Sequence, residues 1–204
     1  MNEYEESINV NMMDLRLDIF KMLNKESSKK LLFRHIVFTE KDIERIALLD
    51  VMTFQQCLIP NDFFDGISGI INQLKSLLLY DNYDLDTKHV LEILRHNKRL
   101  EQLMIDVPVT LQIPFESFIS GNKTLTKLTL THVEKNPNIL GILMSNNIIN
   151  NFVMMHTTVN EPLGKELATL FLKNKNITRY AFIKCIFDER FDQFFFAMAK
   201  MLGM

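Results

Sequence analysis

The chain has 204 residues, enough for one ordinary domain, and 47% of them are hydrophobic, so a large core can be buried. The formal net charge of −2 gives no general electrostatic reason to bind nucleic acid or an anionic membrane. No apolar run reaches transmembrane length, the acidic start Met1–Glu6 lacks the parts of a secretory signal, and two cysteines do not make a disulfide framework. These features predict an intracellular, cytoplasmic protein with no membrane insertion and no nucleic-acid partner, and favour a monomer.

In chain order, residues 1–30 read as an N-terminal helical cap. Val10, Met13, Leu17, Phe20 and Leu23 make an amphipathic set over 9–24. Residues 33–38 are a candidate first strand, followed by a short helix at 40–48. From there the pattern L-x-x-L-x-L recurs, with first positions at Leu49, Leu74, Leu100, Leu125, Ile149 and Ile177, so the steps are 25, 26, 25, 24 and 28 residues. A period of this length indicates a stacked solenoid. Alternation inside each copy predicts a short strand with one buried face.

About ten residues upstream of each copy the period becomes helical. The pairs Phe64/Ile67, Val90/Ile93, Phe115/Phe118, Ile139/Ile142 and Leu167/Leu170 all lie at offsets −10 and −7. They predict the inner face of a helix covering the strands. Asn97, Asn122, Asn146 and Asn174 each stand three residues before a first position. That placement suits a helix end where the backbone turns left-handed. Asn61-Asp62 and Asp84–Asp86 are candidate helix starts. Pro108, Pro114, Pro137 and Pro162 fall in the connections after strands, where no ladder hydrogen bond is lost.

The ninth position of the pattern is Cys57, Asn82, Thr157 or Cys185 in four copies, with Pro108 and Val133 departing. A small polar side chain there can satisfy buried backbone groups where the chain leaves the sheet. Both cysteines occupy this slot, so they read as structural. At the C-terminus, Phe191, Phe194, Phe195, Met198 and Leu202 form a helical stripe, expected to be a cap over residues 188–204.

These features resemble the leucine-rich repeat family, in particular its intracellular ribonuclease-inhibitor-like branch, over residues 31–187. The resemblance implies an α/β solenoid of about six to seven repeats in a single domain, residues 1–204. It implies a curved parallel sheet on the concave side, helices on the convex side, helical end caps and a protein partner.

Strand alternation predicts the residues that point out of the concave face. The central column is Thr53, Leu78, Met104, Thr129, Val153 and Ala181. The column after it is Gln55, Tyr80, Asp106, Thr131, Met155 and Ile183, and the one before it includes Lys127 and Arg179. Leu78, Tyr80, Met104, Asp106, Lys127, Thr129, Val153, Met155, Arg179 and Ile183 are the candidate partner-binding residues. The apolar ones would form an exposed patch of the kind that marks interaction sites.

No phosphate-binding glycine loop, nucleophile elbow, His-Glu-x-x-His or Cys-x-x-Cys is present. The sequence therefore predicts a non-enzymatic protein with no catalytic residues, no metal and no cofactor. His132 and His156 share the eighth position of adjacent copies, but the equivalent neighbours Val107 and Lys184 supply no evident third ligand. The expected function is binding of another protein through the concave face. The alternatives are a regulator of an enzyme, of GTPase-activating or inhibitor type, with Arg179 and Arg99 as candidate groups, and a bacterial effector that binds a host protein.

Overall fold

The structure is a computed structural model that describes residues 8–10, 30–34, 50–59, 63–83, 85–107 and 112–188. The chain is mixed α/β and divides into two compact units, Met1–Leu103 and Met104–Met204. Six five-residue strands begin two residues after each first position of the recurring pattern: β3 Val51–Gln55, β4 Ser76–Tyr80, β5 Gln102–Asp106, β6 Lys127–Thr131, β7 Asn151–Met155 and β9 Arg179–Ile183. The unit boundary falls within β5.

In the first unit, β1 (Ile8–Val10), β2 (Lys30–Arg34), β3 and β4 pair in that order, all parallel. Helices α1 (Phe63–Gly66), α2 (Ser68–Ile71) and α3 (Thr87–Leu94) follow β3 and β4. In the second unit, β6, β7 and β9 pair in parallel. The helices here are α4 (Gln112–Gly121), α5 (Ile139–Leu143) and α6 (Glu161–Lys173). A short 3-10 turn covers Val133–Lys135, and β8 (Thr158–Val159) pairs with β10 (Ile186–Phe187).

The core follows from alternation. The second and fourth residues of β3 to β7 are fully buried: Met52 and Phe54, Leu77 and Leu79, Leu103 and Ile105, Leu128 and Leu130, Phe152 and Met154. In the first unit, Phe54, Phe63 and Phe64 meet edge to face with centroids 5.4–5.9 Å apart. Rings prefer this arrangement because a positive edge meets a negative face. In the second unit, Phe171 packs edge-on against Tyr180 at 4.3 Å.

Several expectations need correction. Residues 8–10 form a strand rather than part of a helix, consistent with two β-branched residues in alternation. The remainder of the expected 9–24 helix, the expected 40–48 helix and the C-terminal stripe from Phe191 to Leu202 lie outside the described residues. The early strand is Lys30–Arg34, which overlaps the expected 33–38 at Phe33 and Arg34, while residues 35–38 lie outside the described residues. Its register sets Leu31 opposite Met52 and Phe33 opposite Phe54, which aligns apolar positions across the pair. Ile93 and Ile142 are only half-buried, and Leu94 and Leu143 take the inner positions instead. An i, i+4 step from Val90 or Ile139 keeps closer to one helix face than the expected i, i+3 step. Pro114 and Pro162 lie in the first turns of α4 and α6, not in connections. A missing N–H has no helical partner to lose there.

The left-handed residues are also elsewhere. Asn174 is extended, with φ −90° and ψ 109°. Positive φ occurs at Gln56, Asp81, His132, His156 and Lys184, each the first residue after a five-residue strand. Val107 holds the equivalent place after β5 without a positive φ. It is β-branched and precedes Pro108, and both features oppose a left-handed backbone.

Candidate functional site

The asparagines before the strands close the turns with their side chains. The Asn97 carboxamide nitrogen donates to the carbonyls of Ile71 and Leu74 at 2.6 and 2.9 Å, and its oxygen accepts from the Arg99 N–H. Asn174 repeats this, donating to Leu143 and Asn146 and accepting from the N–H groups of Asn176 and Ile177. Asn122 and Asn146 each accept two N–H groups from the following turn. In Asn97 and Asn174 one side chain thus binds the outgoing turn and the preceding one.

The ninth position acts at the other strand end. The Asn82 oxygen accepts from the Cys57 N–H at 3.0 Å, and its nitrogen donates to the Phe54 carbonyl at 3.0 Å. Thr157 accepts from the Val133 N–H at 3.2 Å and donates to the Met155 carbonyl at 2.9 Å. The Cys57 thiol contacts the Gln55 carbonyl and is fully buried. Cys185 is only half-buried, contrary to the buried slot expected for it. Partial burial and the Glu134 carboxylate push its thiol pKa up, against backbone hydrogen bonds at Thr157 and Ile183 that pull it down.

The sheet face differs from expectation at its centre. Met104 is 6% exposed, Thr129 4% and Val153 7%, so none of the three offers a free contact surface. The reason is enclosure on four sides. Val153 lies opposite Thr129 on one side and Ala181 on the other, and the strand's alternation places Asn151 and Met155 on the same face before and after it. The flanking columns are open in part. Lys127, Asn151 and Arg179 are register partners in one column, and Thr131, Met155 and Ile183 in the other. Lys127 and Met155 are half-buried, Arg179 and Ile183 are exposed, and Thr131 is buried. Asp106 is half-buried and accepts a hydrogen bond from the Thr131 hydroxyl. In the first unit, Leu78 and Tyr80 are half-buried. Arg99 lies 3.6 Å from Asp50, which ties it within that unit.

Beyond β6 and β7 the chain brings together groups that the sequence leaves apart. The His132 and His156 rings lie 6.3 Å apart, inclined at 33°. The Glu134 carboxylate sits 3.7 Å from His132 Nδ1. Glu134 was missed at the sequence level, although its His-x-Glu spacing from His132 was visible. What hid it was the left-handed residue and 3-10 turn that bring position 134 back to 132.

On the helical side of the second unit, a groove of about 540 Å³ runs between α4 and α5, bordered by Glu116, Ser120, Asn122, Lys123, Gly141 and Asn147. A side chain at Gly141 would meet nothing within 4 Å. Among the described residues, no helix is long and apolar enough to cross a membrane. No family model matches this sequence, and no curated protein matches it.

Proposed function

We propose that this chain is a leucine-rich-repeat-type binding module that takes a protein partner on its sheet face and performs no chemistry of its own. The observation that carries the reading is the pair of open columns in the second unit. One presents Lys127 and Arg179, and the other presents Met155 and Ile183, with Ile183 43% exposed. Between them runs the closed column through Thr129 and Val153. A partner suited to this surface offers carboxylates to the first column and apolar side chains to the second. Charge of this kind contributes mainly to rate and specificity of association, and the apolar groups contribute mainly to affinity.

The test is affinity capture with three baits, read by mass spectrometry. One is the native chain. One carries Met155→Glu and Ile183→Glu. The third carries Leu172→Glu on the exposed side of α6, where the leucine is 55% exposed. The reading expects a partner retained by the native and Leu172→Glu baits and lost from the double variant. A partner held equally by all three overturns it. Met104→Glu and Val153→Glu are unsuitable probes, because both residues are buried and a charge there would unfold the unit.

A further inference from the structure

We propose that the first column of the second unit recognises a phosphorylated serine or threonine of the partner, held by Lys127, Asn151 and Arg179. This rests on the sheet-face binding proposed above and names the group that the face selects. What singles out these three side chains is that nothing else uses them. Lys75 and Arg99 both face Asp50, and Lys165 pairs with Glu161 at 2.6 Å. In the other column, the Thr131 hydroxyl is spent on Asp106. The side chains of Lys127, Asn151 and Arg179 make no hydrogen bond or ion pair among the described residues.

Strand register sets the three side by side. Lys127 lies opposite Asn151, and Asn151 lies opposite Arg179. Neighbouring strands are ~4.8 Å apart, so the two cationic residues stand about 9.6 Å apart at their Cα atoms, with the carboxamide midway. Alternation turns the row outward, since the next residues, Leu128 and Phe152, are fully buried. The preceding turns fix the row in place. The Thr126 carbonyl accepts from the N–H groups of Asn150 and Asn151 at 3.0 and 3.1 Å, and the Asn150 carbonyl accepts from those of Thr178 and Arg179 at 2.9 and 3.1 Å. The equivalent places in the first unit, Val51 and Ser76, carry no charge.

A phosphate monoester suits this set better than a carboxylate. Its three terminal oxygens carry a charge of about −1.5 to −2 at neutral pH. Each oxygen can take one donor: the Lys127 ammonium, the Asn151 carboxamide nitrogen and the Arg179 guanidinium. A carboxylate brings a single charge and leaves one cation unmatched. The chain's net charge of −2 disfavours a long polyanion such as nucleic acid, whereas one phosphate needs only this local pair of cations. Met155 and Ile183 lie further along the strands that carry Asn151 and Arg179, about 13 Å away at ~3.3 Å per residue. An extended peptide that follows the strands therefore places an apolar side chain four residues from its phosphorylated one.

The experiment measures fluorescence anisotropy of labelled peptide pools on the full chain. Each pool is degenerate except for a central phosphoserine and a leucine four residues before or after it. Companion pools carry serine or glutamate at the centre, and a mixed-sequence single-stranded RNA serves as the polyanion probe. The phosphoserine pool is expected to bind at least ~10-fold more tightly than the serine pool. Lys127→Gln and Arg179→Gln, checked for folding by circular dichroism, should each remove most of that preference, and the control Lys165→Gln should change nothing. No preference for phosphoserine, equal binding of the glutamate pool, a preference kept in either variant, or tighter binding of the RNA overturns the proposal. Capture from lysate with and without phosphatase treatment separates it from the binding reading. A partner lost from the Met155→Glu, Ile183→Glu bait but retained after phosphatase treatment keeps the sheet face as the binding site and overturns phosphate recognition.

Discussion

Asn174 ties two successive turns together through one side chain. It is 3% exposed and takes part in four hydrogen bonds, two given to earlier carbonyls and two accepted from the next turn. Its replacement by alanine leaves buried carbonyls and N–H groups without partners, so Asn174→Ala should cost about 3 kcal/mol. A urea midpoint measured by circular dichroism checks this, and a loss below about 1 kcal/mol would mean that water takes over the bonds. Lys184, exposed and at φ 52°, probes the kinks. Lys184→Gly should leave stability unchanged or higher, while Lys184→Val should lower it by about 1–2 kcal/mol, read from the same midpoint. Tyr180 gives a pH signature. Burial pushes its phenol up to about 12, against ~10 for a free tyrosine. Below pH ~10 both folded and unfolded chains keep the proton, so the contribution is complete. As pH rises towards 12 the unfolded chain releases its proton first, so stability falls. Melting curves between pH 9 and 12 should therefore drop faster for the native chain than for Tyr180→Phe, whose missing hydroxyl has no partner among the described residues to lose.

At the scale of elements, α6 is the helix whose ends are best explained. Asn160 caps it by accepting from the Leu163 N–H at 3.1 Å, Pro162 lies in its first turn, and Glu161 and Lys165 pair one turn apart. Asn160→Ala should cost about 1 kcal/mol, while breaking the exposed Glu161–Lys165 pair should cost no more than about 0.5 kcal/mol. A double-mutant comparison by thermal melting separates the two, and equal effects would refute the ranking. The five-residue strands were legible from the sequence because Leu, Ile, Phe and Met alternate with period two and the buried second and fourth places admit little else. The helices were legible in position but less so in rotation, since Ile93 and Leu94 are both apolar and only packing decides between them. The strand-end kinks were partly legible for a chemical reason. Asp81, His132 and His156 belong to residue types enriched at positive φ, whereas Gln56 and Lys184 give no such signal. The open and closed columns were half legible. Alternation identifies the outward side chains, but their burial depends on register neighbours in other strands, so Met104, Thr129 and Val153 read as surface when they are not.

For the molecule as a whole, the two open columns of the second unit define how it would respond to salt and to mutation. If Lys127 and Arg179 steer an acidic partner, charge reversal at both should slow association and flatten its dependence on ionic strength, while dissociation changes little. Stopped-flow or surface-capture kinetics at two salt concentrations would measure this. A pure change in dissociation rate would place those residues inside a desolvated contact instead. The apolar column should behave in the opposite way, with Ile183→Ala raising the dissociation rate.

Strand pairing joins Lys30 to Val51, Val51 to Ser76, Lys127 to Asn151 and Asn151 to Arg179, so the partners are separated along the sequence by 21, 25, 24 and 28 positions. The strands keep one register while the connections absorb the difference. A codon gained inside a strand would turn every following side chain of that strand to the opposite face, whereas one gained in a helix or loop would leave both faces as they were. Variation in gene length is thus partitioned by the fold: the five-residue windows behave as fixed type, and the spacing between them is free to drift.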